Sequence, residues 1–334
     1  MLAARLKNRM RHLAKWGRRQ GISCFRLYER DIPDFPAIID WYADADGDDP
    51  TKDGDAVAWL FHRTKDDTDE ETQAYQRLAE SEILSGLGIQ PSRLHIKRRG
   101  RQRAASGGRE QYERVGTAAI TKVIKEFDLQ FEINLSDYLD VGLFLDHRPL
   151  RQMLRERSQG KRVLNLFAYT GSFSVAARAG GASATTTVDL SATYLDWYAR
   201  NLASNGFALD DQHRSLQADC LQWIDQHPTE QDRYDIVILD PPTFSNSKRM
   251  AADSFSIERD YVGLLEAAAR FVAPGGELFF STNARRFTLD PTAVPSVFGC
   301  RDISNRTVPE DFRNRTIHRC WRLAEGWTQR TPAQ

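Results

Sequence analysis

Residues 161–191 read KRVLNLFAYTGSFSVAARAGGASATTTVDLS, and the fold is decided there. Val163-Leu164-Asn165-Leu166-Phe167 is a short apolar run of the kind that forms a buried parallel strand. Ala168-Tyr169-Thr170-Gly171 is made of small or turn-tolerant residues, and Phe173 to Ala179 returns to helix-forming composition before Gly180-Gly181 stops it. A second strand, Thr185 to Val188, runs into Asp189 about 24 residues after Asn165, the spacing of a strand-helix-strand unit. In such a unit the loop and the helix N-terminus approach a nucleotide-like ligand. A carboxylate at the tip of the next strand accepts hydrogen bonds from ribose hydroxyls. Asn165, Phe167, Ala168, Tyr169, Thr170, Gly171, Asp189, Leu190 and Ser191 are therefore the candidate ligand residues.

Nicotinamide or flavin dinucleotides and S-adenosylmethionine both suit a unit of this kind. A dinucleotide site wants G-x-G-x-x-G, so that a pyrophosphate can lie against bare backbone. Here only Gly171 is present, and a sulfonium nucleoside, which has no pyrophosphate, tolerates the bulky Phe167 and Tyr169. A unit with no ligand at all is the bland alternative. A second motif weighs against it: Tyr234-Asp-Ile-Val-Ile-Leu-Asp240-Pro241-Pro242-Thr243-Phe244, a buried strand ending in Asp-Pro-Pro-x-Phe. Two prolines remove two backbone donors and stiffen the chain, turning carbonyls and the Asp240 carboxylate into the crevice at the strand's end. Phe244 could then lie against the face of a planar base while Asp240 accepts from its edge.

The two motifs resemble motifs I and IV of the class I S-adenosylmethionine-dependent methyltransferases. The wider match is closer: Arg26 to Asp34, Asp140-Val-Gly-Leu-Phe-Leu-Asp-His-Arg-Pro149, Asn165 to Ser174, Val188 to Asn205, Asp240 to Met250 and Arg313 to Trp321 resemble the K half of the bacterial ribosomal RNA large-subunit methyltransferases K/L. The resemblance implies a Rossmann-like, mostly parallel seven-stranded sheet with a smaller N-terminal α+β domain. It also implies S-adenosylmethionine as cofactor and guanine N7 of 23S rRNA as acceptor, modified before full subunit assembly. A guanine-N2 methyltransferase half fused at the N-terminus is a further implication. By the same resemblance Asp146 and Arg148 pair with the methionine amino and carboxylate groups, an ion-paired helix cap being the alternative. Asp219 accepts from the adenine amino group, and Cys220 packs beside it as a non-nucleophile.

With 334 residues, 41% hydrophobic and 28% charged, the chain is long enough for two domains and a substantial core. No signal-peptide apolar region or long apolar segment is present, so a cytoplasmic protein with no membrane partner is expected. Its four cysteines, Cys24, Cys220, Cys300 and Cys320, lack metal-ligand spacing, and no metal site is expected. Net charge is formally zero but unevenly placed. Met1 to Tyr28 holds no acid, against Arg5, Lys7, Arg9, Arg11, Lys15, Arg18, Arg19 and Arg26. Leu2, Leu6, Met10, Leu13 and Trp16 recur there at helical spacing. A second basic run from Arg93 to Arg114 includes Lys97, Arg98, Arg99, Arg101 and Arg103 around Ser106-Gly107-Gly108, suited to gripping RNA backbone. Asp44 to Asp55 loosely matches a calcium loop but lacks its closing glutamate, and reads as solvated surface.

The expected organisation is a basic helix over 1–20, a small α+β RNA-binding domain over 21–137 and a methyltransferase domain over 138–334. Strand composition marks Cys24–Glu29, Ala37–Tyr42, Val57–Phe61, Arg93–Lys97 and Thr121–Phe127. The box Thr68-x-x-Glu71 opens a helix. Later come a turn at Pro274-Gly275-Gly276 and a strand over Glu277–Thr282.

Methyl transfer is an in-line displacement that needs alignment and exclusion of water. Guanine N7 carries no proton, so neither base nor covalent intermediate is required. Cytosine C5 needs a cysteine thiolate, and the strand-end position where relatives of that type hold it reads Phe280-Ser281-Thr282-Asn283-Ala284. Asp240, Pro241, Pro242 and Phe244 are thus the candidate catalytic residues, with Ser245, Asn246, Lys248, Arg249, Asn283 and Arg285 along the RNA path. A cytosine-C5 enzyme, a nicotinamide-dependent oxidoreductase and a catalytically silent RNA-binding factor are the alternatives.

Overall fold

The computed structural model describes residues 1–47, 49, 53–64, 67–98, 116–226, 228–245 and 254–326. They divide into two compact units. Described residues up to Val141, with Glu310–Asn314, form the first, and Gly142–Pro309 with the described residues from Arg315 on form the second.

In the first unit, α1 (Leu2–Gln20) buries Leu2, Leu6, Leu13 and Trp16, the stripe expected from their spacing. Strands β1 (Cys24–Glu29), β2 (Ala37–Tyr42) and β3 (Asp55–Leu60) form an antiparallel meander. Helix α2 (Asp69–Leu87) then carries the chain to β4 (Leu94–Arg98), which pairs with β3 in parallel. The capping box opens α2: Thr68 accepts from the Glu71 N–H, and the Glu71 carboxylate takes the Thr68 N–H at 2.8 Å. The first turn of α1 lacks a cap of its own, so Glu82 of α2 accepts from the Met1 ammonium at 2.8 Å and the Ala3 N–H at 2.9 Å. The expected strand near Thr121 is β5 (Thr121–Glu126), one arm of a hairpin. Its other arm, β6 (Leu129–Asn134), lies outside the expected set, and Phe127 at φ 59° makes the turn. Glu310–Asn314 completes this unit: the Asp311 carboxylate accepts the Arg26 N–H at 2.9 Å, Arg9 donates to the Asp311 carbonyl at 3.0 Å, and Arg313 pairs with Asp31 at 2.6 Å.

Much of the basic character is answered inside the unit. Arg5 pairs with Asp31, Arg18 with Asp49, Arg93 with Asp53, and Lys122 with Asp44 and Asp55. Lys97 is buried and donates to the Tyr138 carbonyl, and desolvation lowers its ammonium pKa to about 8. The aspartate-rich loop is thus a counter-charge for its own unit.

The second unit is built on β7 (Arg162–Leu166), β8 (Ala184–Asp189), β9 (His213–Gln217), β10 (Tyr234–Leu239), the short β11 (Phe244–Ser245) and β12 (Phe255–Ser256), β13 (Val272–Thr282), β14 (Phe298–Asp302) and β15 (Arg319–Glu325). Seven of these make one sheet in the order β14-β15-β13-β10-β7-β8-β9, parallel except at β14 and β15. Alternation along the strands feeds two cores. Leu164, Leu166, Val237 and Leu239 pack with α7 (Ile257–Ala269). Val163, Ile236 and Ile238 pack with α3 (Arg148–Arg157) and α4 (Ser172–Ala179). Helices α5 (Ala192–Ser204), α6 (Cys220–Ile224) and α8 (Ser304–Thr307) complete the described set used below. Pro274-Gly275-Gly276 differs from its expected turn. It is absorbed into β13, where the register against β10 jumps from Tyr234↔Val272 to Ile236↔Glu277.

Two glycines test the packing with opposite signs. Ala in a helix interior is normally worth up to about 1 kcal/mol over Gly, and at Gly263, where a Cβ meets nothing within 4 Å, the Ala variant should raise the thermal midpoint. At Gly86 a Cβ would lie 2.7 Å from the Ala3 Cα and carbonyl. Gly86→Ala should therefore lower the midpoint, by the roughly 1–3 kcal/mol of an overpacked contact.

Candidate active site

Strands β7 and β10 are adjacent, and the chain winds outward from them in opposite directions, the switch point where such sheets open a crevice. Leu166 pairs with Leu239, so the loops that begin at Phe167 and Asp240 leave the sheet side by side. Both sequence motifs therefore meet at one place.

The first loop is unusual in its backbone. Phe167, Tyr169 and Gly171 have φ of 55°, 52° and 69°, all left-handed. A non-glycine residue held there costs roughly 1–3 kcal/mol unless its surroundings compensate. They do so bond by bond. The Phe167 N–H donates to the Cys220 thiol at 3.2 Å, Ala168 N–H to the Val188 carbonyl at 3.0 Å, and Tyr169 N–H to the Asp189 carboxylate at 2.8 Å. Thr170 donates to the Gly142 carbonyl at 2.6 Å, while Asn201 donates to the Thr170 carbonyl at 3.0 Å. The Tyr169 ring meets Tyr194 edge-on at 4.6 Å and Phe144 at 5.3 Å. At Gly171 a Cβ would stand 2.1 Å from the Tyr198 ring. Ala168, within the loop, is buried.

Under the loop, buried Asn165 donates to Ser174 at 2.9 Å, and Thr187 donates to the same hydroxyl at 2.7 Å, leaving the Asn165 Oδ1 without a protein partner. Asp189 stands at the tip of β8 and also takes the Ser191 N–H at 2.8 Å, while Ser191 caps α5 and Leu190 lies between them, half-buried. Desolvation pushes the Asp189 carboxyl up to about 6, against the pull of the N–H groups around it. Each carboxylate oxygen that takes one N–H keeps a second lone pair for a hydroxyl.

Asp219 and Cys220 have definite local tasks. Asp219 caps α6 by accepting from the Leu221 N–H at 3.1 Å. Cys220 is buried, its thiol taking the Phe167 N–H, and burial pushes its pKa well up, the state of an inert thiol. Asp146 is also buried, and its carboxylate takes a hydrogen bond from His318 Nδ1 at 3.0 Å. Arg148 is buried at the first position of α3. The alternative of an Asp146 helix cap is not realised, because the capping position is His147, which makes no side-chain cap bond. Asp146, His147 and His318 bring their ligand atoms within 4.8 Å of one another. The sequence holds no hint of this grouping, since His318 reads as part of a basic tail 171 positions beyond His147.

Asp240 follows β10 directly. Its Oδ1 accepts from Ser281 at 2.5 Å, and its Oδ2 lies 3.6 Å from His147 Nδ1. Pro241 is buried and Pro242 half-buried. Phe244, pinned by the β11–β12 ladder, is 40% exposed, the sole aromatic among the exposed large hydrophobic side chains of the described residues. Asn283 and Arg285 are exposed just beyond β13. Arg98 ends β4 in the first unit. Arg99, Arg101, Arg103, Asn246, Lys248 and Arg249 lie outside the described residues.

A family model for S-adenosylmethionine-dependent methyltransferases matches residues 47–298. The chain belongs to that family. Among curated proteins, it is 43% identical over 321 residues to a ribosomal RNA large subunit methyltransferase K of Neisseria meningitidis, covering 96% of this chain and 86% of that one. It is 43% identical to a ribosomal RNA large subunit methyltransferase K/L of Methylococcus capsulatus, covering 97% of this chain but only 42% of the relative. Among solved structures, a S-adenosylmethionine-dependent methyltransferase of Streptococcus mutans superposes with a TM-score of 0.69 at 21% identity, over 97% of this chain and 80% of that one. Another, a methyltransferase in complex with SAH, gives 0.68 at 21% identity with the same coverage. The seven-stranded sheet is thus that of a S-adenosylmethionine-dependent methyltransferase. Among the described residues no helix is long and apolar enough to cross a membrane.

The chain's own residues fit the cofactor of this methyltransferase family: a loop that presents backbone, a carboxylate at the tip of β8 and an unpaired Asn165 oxygen. Two outcomes are expected. Gly171→Ala, strained at φ 69° and clashing with Tyr198, should lower stability by about 2 kcal/mol or more and weaken S-adenosylhomocysteine binding in calorimetry. Only ionised Asp189 accepts from two hydroxyls. Since its carboxyl titrates at about 6, affinity should fall about tenfold as pH drops from 7 to 5, and Asp189→Asn should flatten that dependence.

Proposed function

We propose that this methyltransferase transfers the methyl group of S-adenosylmethionine to guanine N7 of large-subunit (23S) ribosomal RNA. The names of the K and K/L relatives support the RNA. The observation that carries the choice of base is an exposed Phe244 four residues after Asp240 at the switch point, with no cysteine in Phe280-Ser281-Thr282-Asn283-Ala284, the strand-end stretch where a C5 enzyme would hold one.

When bound, S-adenosylmethionine supplies an electrophilic methyl carbon for an acceptor lone pair to displace from sulfur. Asn165, the loop from Phe167 to Gly171 and Asp189 hold it, with Asp146 and Arg148 assigned to its methionine end and Asp219 and Cys220 to its adenine end. Phe244 stacks on the unstacked base. Asp240 accepts from the guanine edge, and its charge favours the cationic ring that forms as N7 gains a fourth electron pair's bond. N7 carries no proton, so no side chain has to remove one.

The cysteines support this over the cytosine reading. Cys220 and Cys320 are buried with thiols pushed well up by desolvation, Cys24 is buried, and the Cys300 thiol is raised to about 12. None is a ready thiolate.

The first unit, with Arg98, Arg99, Arg101 and Arg103, is assigned to gripping the RNA, and Lys248, Arg249, Asn283 and Arg285 to the strand near the base. Because the base must be unstacked, the acceptor is assigned to RNA before full subunit assembly and the reaction to the cytoplasm. The chain spans 42% of the K/L relative, and a fused guanine-N2 methyltransferase half remains part of the proposal for such longer forms.

Labelled S-adenosylmethionine, protein-free large-subunit rRNA and nucleoside digestion test the reading. Label should appear in 7-methylguanosine, fall on assembled subunits, and drop about 100-fold or more in Asp240→Ala. Label in 5-methylcytidine would reverse the choice of base. Cofactor binding without transfer would favour a silent RNA-binding factor.

A further inference from the structure

The Asp240 carboxylate is approached from both of its oxygens by side chains from opposite sides. The pairing of Leu239 with Phe280 brings Ser281 of β13 beside Asp240. Ser281 is 1% exposed, and its hydroxyl donates to Oδ1 at 2.5 Å. On the other side His147, equally buried, sets Nδ1 3.6 Å from Oδ2. Its Nε2 is 3.6 Å from the Asp146 carboxylate and makes no hydrogen bond. The imidazole lies against Phe173 at 5.5 Å and His318 at 4.6 Å. Asp146 is fixed by His318, whose Nε2 meets the Thr307 hydroxyl at 2.9 Å. Buried Thr307, His318, Asp146 and His147 thus lead to the partly exposed Asp240, bonded from Thr307 to Asp146 and in close approach at His147.

We propose that Ser281 and His147 are positioning residues that hold the Asp240 carboxylate in one rotamer, an inference that rests on Asp240 facing the target base. A carboxylate's last torsion is broad and two-fold. Asp240 is 21% exposed, so without these neighbours it turns toward water. Ser281 supplies the firm bond. His147, whose charged form is disfavoured by burial, stands at a distance longer than a hydrogen bond and blocks the second oxygen as a packed neutral dipole. At Ser281 a small hydroxyl fits between the strands and donates where a thiol would not hold a carboxylate as firmly.

The test uses the full chain, rRNA and five variants, reading kcat, KM for S-adenosylmethionine, S-adenosylhomocysteine binding and thermal midpoint. Ser281→Ala should lower kcat about ten- to hundred-fold, the range for losing a bond to a charged group, with KM changed less than about two-fold. His147→Asn keeps an amide nitrogen near the Nδ1 place and should retain most of kcat. His147→Gln carries it to the Nε2 place and should fall as Ser281→Ala does. Unchanged kcat in Ser281→Ala, with Asp240→Ala inactive, would overturn the inference alone. So would equal losses in the Asn and Gln variants that track their thermal midpoints, which mean packing, or a stoichiometric metal released by His318→Ala. Full activity of Asp240→Ala would remove the pocket reading and the inference with it.

Discussion

The left-handed backbone between β7 and α4 is the constraint on which the catalytic unit depends. Phe167, Tyr169 and Gly171 each adopt positive φ, a conformation that is costly for aromatic residues and persists only where the surroundings over-determine it. The surroundings are the tips of the neighbouring elements. Asp189 ends β8, Cys220 starts α6, and Gly142 and Asn201 supply the Thr170 contacts. Asp189, Cys220 and Asn201 are each held by an element of this unit, so the loop's shape is tied to the sheet and its helices. Its order does not have to be created when a ligand arrives, which is the economy of a preorganised site.

Asp189 illustrates how a single group serves fold and site together. Its carboxylate holds the Tyr169 N–H and the Ser191 N–H, and so ties the loop to the start of α5. The same burial that makes those bonds firm raises its pKa to about 6. A carboxylate so close to its charge transition sits at the boundary between a structural and a binding group.

Elements with a local signal were legible in the sequence. β1 and β2 occur over the expected residues, the Thr68 capping box forms, and the buried run Tyr234–Leu239 is a strand. Chain order was enough to place both motifs at strand ends. What escaped depends on distant partners. No composition marks Phe167 or Tyr169 as left-handed, since glycine or asparagine would be the usual sign. Leu129–Asn134 hides behind a hairpin turn made by Phe127. The glycines after Pro274 look like a stop, but Val272 before them and Glu277 after them both pair with β10, so the strand carries them as a bulge. His318 joins Asp146 and His147 only because β15 returns antiparallel beside β13. Ser281 carries no mark of its own in sequence and is a donor in space.

The segment Glu310–Asn314 alters what modularity means in this chain. The polypeptide leaves the small unit after Val141, builds most of the catalytic sheet, returns at Glu310, and departs again after Asn314 to lay down β15. Asp311 and Arg313 answer Arg9, the Arg26 N–H and Asp31, charges and donors that otherwise stand without those partners. A gene cut at the apparent boundary near residue 138 would separate each unit from part of itself. The two units are interleaved in their covalent order, so neither can be cut out as one unbroken stretch of chain.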